Sequence, residues 1–520
     1  MRWDAAIPPL LRPLVRAYLL GYASAVGPRL LTLLLQHLAR CRRSKATTTA
    51  RDTHQGRGQE QGQEQGQEQG QEQGQEQPFP SALQRILQGP LGWQSFPAFC
   101  AVLVGGTTLL ENPVRRVVDP CFTAASDIAR QRLSRWLACF VASWLSLRLL
   151  QSKQTPSFTG ELIESGPDDA PAKKTVRYAG RTLDLTLLAV TRALDVIGGE
   201  LWHRYKLGRR ANAQWTRLES AISRLTDPAI FALSSGLIMW TWIYLPSRLP
   251  RAYNKWISSA AAVDGRLIAA LQNCRRGTLL YGRDTGQAAL LGSMCTDYNW
   301  PLEWGDPARS IPFPCEMVHM GSGPSCERHA VSRFVRSFRW ALASYLPLSL
   351  FLAARSGRRF LNLHSLRRAL LSAARSSAFL GAFIALFYYG VCLARTRLGP
   401  RLLLLLASKD KDDDHDDDDV VRARQHIDSG YCVGLGCVLC GWSILLEHAG
   451  RRKDMALFVA PRALATLFPR RYALERQWRE TLAFAASTAV VLTCVRENRG
   501  RVRGVMGGVL GLCFGSELSE

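Results

Sequence analysis

Acidic charge is scarce in this chain: 42 Asp and Glu stand against 66 Lys and Arg, for a formal charge of +24 over 520 residues. An excess of that sign points to nucleic acid or an anionic membrane surface as neighbour. Conventional catalytic motifs are missing too. There is no Gly-rich phosphate loop, no His-Glu-x-x-His helix and no Ser-His-Asp order, so no catalytic residue and no cofactor is assigned. A secretory leader is also lacking: the first apolar segment carries Arg12, Arg16 and Arg29 and no clean cleavage site. We read an intracellular, reducing setting. The 14 cysteines are too sparse for a disulfide scaffold. Several (Cys100, Cys139, Cys392, Cys432, Cys437, Cys440, Cys494, Cys513) sit inside apolar runs, where a thiol is first a small buried residue.

Mean hydropathy is only -0.05, but that average mixes apolar segments with very polar linkers. Charge is absent from residues 91–110, 228–247, 376–394 and 429–446. Each approaches the ~20 residues that a helix needs to cross a bilayer, and we expect four spans there. Shorter runs at 136–147, 340–354, 481–495 and 504–516 are flanked by Arg. They read as spans extended by snorkelling side chains, or as buried or re-entrant helices. Because Arg flanks apolar runs rather than interleaving with aromatics, nucleic acid is rejected as a partner. Gly504 with Gly508, and Gly507 with Gly511, have the spacing at which helices approach closely in lipid.

Three polar segments belong outside the hydrocarbon. Residues 58–77 repeat Gly-Gln-Glu-Gln and cannot form a core, so disorder is expected. Residues 409–419 are an acidic run, read as a solvated loop, and 151–174 form a polar linker.

The chain repeats itself. Arg181, Asp184, Leu187, Arg192, Ala193 and Leu194 match Arg451, Asp454, Leu457, Arg462, Ala463 and Leu464 at one offset. Trp144 precedes the first set and Trp442 the second. Ala98-Phe99 and Ala378-Phe379 come earlier still, and apolar runs follow at Pro228 and Thr481. We therefore expect an all-α, polytopic membrane bundle made of two related four-segment halves. The organisation reads as an N-terminal segment (1–54), a disordered linker (55–80), a first membrane repeat (81–250), a central region (251–335) and a second repeat (336–516). Asp184 and Arg192 lie about two turns apart on one helix, as do Asp454 and Arg462. They read as polar groups lining a path at membrane depth, or as pairs at helix ends.

The central region opens with an amphipathic helix at 256–271, followed by a loop holding Cys315, His319, Cys326 and His329. These four offer a tetrahedral donor set for a metal, although Cys-x3-His with Cys-x2-His is not a usual finger spacing. Cys315 and Cys326 also suit a disulfide or redox pair. The plain alternative is a capping loop with buried, reduced thiols.

Cys315-Glu316, His319 and Ser325-Cys326, followed by Tyr345-Leu346-Pro347-Leu348, resemble the Cys-rich region of the transmembrane protein 135 family, also called peroxisomal membrane protein 52. The run from Ser376 and the stretch from Glu447 through Arg451 and Arg452 to Ala463 extend the resemblance from about residue 314 to 514. Val263-Asp264-Gly265-Arg266-Leu267 resembles the longer fungal members; the acidic insert departs from the pattern. The resemblance implies a non-enzymatic, multi-pass protein of peroxisomal or mitochondrial membranes, tied to lipid homeostasis and organelle dynamics. It carries a distant similarity to Tim17/22/23 translocase subunits. Expected partners are membrane lipids, a second copy of the chain or other organelle membrane proteins. Two other readings stay open: a translocase- or channel-like pore lined by Asp184, Arg192, Asp454 and Arg462, and a membrane enzyme using the Cys/His cluster.

Overall fold

The computed structural model describes residues 7–51, 79–165, 171–355, 363–401, 416–502 and 504–514. The Gly-Gln-Glu-Gln repeat and residues 409–415 of the acidic run lie outside the described residues. Within them the chain is an all-α bundle. Helices α1 (Arg12–Arg51), α2 (Phe79–Gln88), α3 (Phe96–Cys121) and α4 (Asp127–Gln151) come first. Strands β1 (Thr159–Ser165) and β2 (Pro171–Ala179) follow, then α5 (Leu183–Ala211) and α6 (Arg217–Tyr244). The central region holds α7 (Arg251–Ala261), α8 (Gly265–Arg276), α9 (Ala288–Tyr298) and α10 (Cys315–His319). Next are α11 (Cys326–Arg355), α12 (Leu363–Leu393), α13 (Asp416–His426), α14 (Cys432–Cys440) and α15 (Ala449–Ala465). Strand β3 (Tyr472–Ala473), α16 (Gln477–Glu497) and α17 (Val505–Phe514) complete the chain.

Local chemistry sets several boundaries. The Ser126 hydroxyl accepts from the Ala129 amide and starts α4. Thr216 and Glu219 exchange side-chain and backbone bonds in a capping box that starts α6. The helix expected over 256–271 is instead two, because Ala262 turns left-handed at φ 48° and the Asp264 carboxylate caps α8. The linker at 151–174 is not featureless. It holds most of an antiparallel β1–β2 hairpin, with Thr159 opposite Arg177, and β2 also pairs with β3.

Four stretches are long and apolar enough to cross a membrane: Phe79–Cys121, Asp127–Gln151, Leu363–Arg401 and Val420–Leu446. That is the signature of a membrane protein. Three coincide with expected spans. The expected span at 228–247 is not among them: α6 stops at Tyr244, and extending the apolar run to membrane length draws in Asp227. Asp127–Gln151 takes its place and contains the shorter run at 136–147. The runs at 340–354 and 481–495 are helical within α11 and α16 but fall short in apolarity, while α17 is apolar but short.

The chain forms two compact units, Met1–Glu200 with Arg471–Glu520, and Leu201–Arg470. In the first, α3 packs on α1 and α4, and α16 packs on α4. In the second, α12 packs on α11 and α14, and α6 packs on α14. These three pairings correspond, while α6 also packs on α15. Each unit takes a helix from the other half of the sequence: α6 belongs to the first repeat yet lies in the second unit, and α16 belongs to the second repeat yet lies in the first. The correspondence also reaches α1 and α11, each of which carries an internal proline, Pro28 and Pro347.

Candidate metal centre

The centre lies in the second unit and is built from three local pieces and one distant one. Pro314 leads into the single turn of α10, which places Cys315 and His319 on one face at i and i+4. The chain then reverses through Met320, Gly321 and Gly323, all at positive φ. The Ser325 hydroxyl accepts from the Arg328 amide (3.2 Å) and starts α11, which sets Cys326 in its first turn. The fourth donor is Cys392, near the end of α12.

The donor atoms of Cys315, His319, Cys326 and Cys392 all lie within 4.8 Å of one another. His319 Nε2 is 3.5 Å from Cys315 Sγ and 3.5 Å from Cys392 Sγ. The Cys315 and Cys326 sulfurs are 3.9 Å apart. His319 Nδ1 donates to the Gly323 carbonyl at 2.7 Å. A carbonyl only accepts, so in the neutral ring Nδ1 carries the proton and Nε2 turns its lone pair towards the sulfurs.

The electrostatics favour charge on Cys315 and His319 but not on Cys326. Contact with Cys392, then with His319, holds the Cys315 thiol well below its usual range despite burial. Burial pulls the His319 imidazole down, but bonds to Cys315 and Gly323 outweigh it and the net direction is up. Burial raises Cys326.

His329 is not the fourth member of the set. It lies on α11 one turn beyond Cys326, with its ring stacked behind His319 at 4.7 Å and the Tyr388 ring edge-on at 5.2 Å. Neither ring nitrogen makes a well-formed hydrogen bond. Burial, then the nearby Arg333 charge, push its pKa down to about 3, so it serves as a neutral plate. Cys392 had read as one more buried thiol in an apolar run. Nothing local marks it as a ligand; only the packing of α12 against the loop does.

A second connection ties the same loop to α12. Buried Arg395, one turn past Cys392, pairs with Asp428 through Nε (2.7 Å) and Nη2 (3.0 Å). Its Nη2 also donates to the Phe313 carbonyl, and the guanidinium sits over the Phe313 ring at 4.0 Å. The Tyr281 hydroxyl donates to Asp428 at 2.6 Å. The first unit has a counterpart of opposite polarity: Glu111 of α3 accepts from Arg135 of α4 at 2.9 Å and pairs with Arg496 of α16. In each unit an acid–base pair joins the end of one apolar stretch to the start of the next.

Asp184 and Arg192 belong to the first unit, and Asp454 and Arg462 to the second. Asp184, in the first turn of α5, is exposed, whereas Arg192 is buried. Arg462 bonds the carbonyl of Phe458, one turn back, and lies over its ring. The glycine expectation also changes. Gly504 precedes α17 at φ 78° and is a turn residue. A side chain at Gly507 would strike the Val502 carbonyl, Gly508 faces open space, and Gly511 is buried. The close helix crossings lie elsewhere: a Cβ at Gly390 would fall 2.7 Å from Gly436 Cα, and one at Gly441 would fall 2.3 Å from Ala232 Cα.

Comparison with protein-family models, characterised proteins and solved structures gives no match to this chain.

Proposed function

We propose that the chain is a multi-pass, non-enzymatic protein of peroxisomal or mitochondrial membranes that supports lipid homeostasis and organelle dynamics. The observation that carries this reading is the pair of matched helical units, with four membrane-length apolar stretches in which Glu111, Arg395 and Asp428 are paired with opposite charges inside their own unit. Intramembrane charge survives where it is neutralised by a partner. Glu111 with Arg135 and Arg395 with Asp428 meet that demand. The resemblance at Cys315-Glu316, His319 and Ser325-Cys326 points to the organelle and to lipid. A polar recess of about 280 Å³, lined by Asp264, Tyr298, Ser322, Ser332, Arg333 and Arg336, lies beside the Cys/His loop. It offers guanidinium groups to an anionic headgroup. The partners of this reading are membrane lipids, a second copy of the chain or other proteins of the same membrane.

Endogenous tagging against peroxisomal and mitochondrial markers, combined with lipid profiling of a deletion strain, tests the proposal. Co-localisation with either marker and an altered lipid profile are expected. Residence in another membrane, or an unchanged profile, overturns it.

A pore is the second reading, favoured by the matched units. Its strongest form, a path lined by Asp184, Arg192, Asp454 and Arg462, loses support from the unlike settings of these residues. Flux through liposomes holding the purified chain would restore it.

A further inference from the structure

We propose that Cys315, His319, Cys326 and Cys392 bind one zinc ion in a closed tetrahedral site, and that the metal pins the central loop to the end of α12. Edge lengths point to a single ion. Zinc bonds of about 2.3 Å to sulfur and about 2.0 Å to nitrogen, at tetrahedral angles, imply sulfur–sulfur edges of about 3.8 Å and sulfur–nitrogen edges of about 3.5 Å. The edges here are 3.9 Å between Cys315 and Cys326, and 3.5 Å from His319 Nε2 to each of Cys315 and Cys392. Three of the six edges have the length that one ion requires, and the other three are no longer than 4.8 Å.

The donor set narrows the metal. Three thiolates and an imidazole suit zinc and exclude the oxygen-seeking cations calcium and magnesium. An iron–sulfur cluster needs its ligands spread around several irons, and donors all within 4.8 Å leave space for a single ion only. The outer contacts agree. A metal-bound histidine commonly donates its other ring nitrogen to a carbonyl, which fixes tautomer and orientation; His319 does so to Gly323.

Three further observations separate this site from a catalytic pair or a redox switch. A nucleophilic cysteine needs one imidazole, not two more thiols within reach of the same nitrogen. Four protein ligands leave no position for a bound water or substrate, the pattern of structural rather than catalytic zinc. A Cys315–Cys326 disulfide would need an oxidant and would leave Cys392 and His319 facing each other without a partner. On metal binding the ligands give up to solvent the protons they hold on sulfur and on His319 Nε2, and no electrons move.

The site also has a mechanical meaning. Three ligands lie within a short stretch of the central loop and the fourth lies far along the sequence on α12. One ion therefore adds a metal tie between this loop and the apolar helix of membrane length to which Arg395 also joins it at Phe313.

The test is metal analysis and X-ray absorption on the full chain purified in detergent without added metal. One zinc per chain is expected, with a shell of three sulfurs and one nitrogen. Cys392→Ser should lose most of the zinc, whereas His329→Phe should keep the full complement. Because a ligand variant can fail to fold, the absorption shell and a cobalt-exchanged sample of the unaltered chain supply readouts that need no mutation. Thiolate charge-transfer bands are expected from cobalt. The proposal is overturned by absence of stoichiometric metal, by iron in place of zinc, by a Cys315–Cys326 disulfide in the purified chain, or by full zinc in Cys392→Ser. None of these outcomes depends on which organelle or lipid the protein serves.

Discussion

Phe99 of α3 meets Phe484 of α16, from the far end of the chain, with ring centroids 6.0 Å apart. In the other unit Phe379 of α12 meets Phe231 of α6 at 5.7 Å. Phe99 and Phe379 follow the matched alanines Ala98 and Ala378, and Phe231-Ala232 of α6 aligns with Phe484-Ala485 of α16. The same aromatic contact is made twice, each time between one half of the sequence and a helix of the other. A duplicated fold whose halves exchange one helix produces this pattern.

Both aromatic contacts should therefore be needed for stability. Phe231 and Phe484 are buried, and truncating such a side chain to Ala typically costs about 3–5 kcal/mol through lost contacts and the cavity left behind. Phe231→Ala and Phe484→Ala should each lower the melting temperature in detergent. Combining Phe99→Ala with Phe484→Ala should cost less than the sum of the two, since each already removes the shared contact. Full additivity would show that the rings do not interact.

Close helix crossings sort the glycines. Gly390→Ala places a methyl 2.7 Å from Gly436 Cα and should cost about 1–3 kcal/mol by forcing α12 and α14 apart. Gly508→Ala faces open space and should leave the melting temperature within a degree or two of the unaltered chain. The reverse ranking would restore the packing role expected from the small-residue spacing in α17.

The Arg395–Asp428 pair is nearly inaccessible on both sides. Removing one partner strands a buried charge, which costs about 3–5 kcal/mol. Asp428→Asn and Arg395→Leu should each lower the folded yield sharply. The double variant Arg395→Leu with Asp428→Leu should recover much of it, because no charge is then left unpaired. A double variant worse than either single would mean that the bonds to Phe313 and Tyr281 matter more than charge balance.

What the sequence made legible follows from what each signal measures. Uncharged runs at 91–110, 376–394 and 429–446 were readable because length and apolarity are local properties, and each falls in a membrane-length stretch. The run at 228–247 misled because a hydropathy pattern does not show that α6 ends at Tyr244. Cys315, His319 and Cys326 were readable because they are close in sequence. Cys392 was not, since it joins them only through the packing of α12, and His329 was taken in its place because a histidine beside cysteines looks like a ligand. The matching halves were visible at Asp184 and Asp454. Their extension to α1 and α11 had a faint trace: Val15-Arg16 and Ala23-Ser24 match Val335-Arg336 and Ala343-Ser344 at one offset, with Pro28 and Pro347 one residue out of step. The exchange of α6 and α16 had none, because which helix closes which unit is settled by tertiary packing alone.

Alkaline carbonate extraction of the endogenous protein from purified peroxisomal and mitochondrial fractions tests the central claim most directly. Four apolar stretches embedded in lipid predict that the protein stays in the membrane pellet of one of those fractions. Its release into the carbonate supernatant would contradict the account.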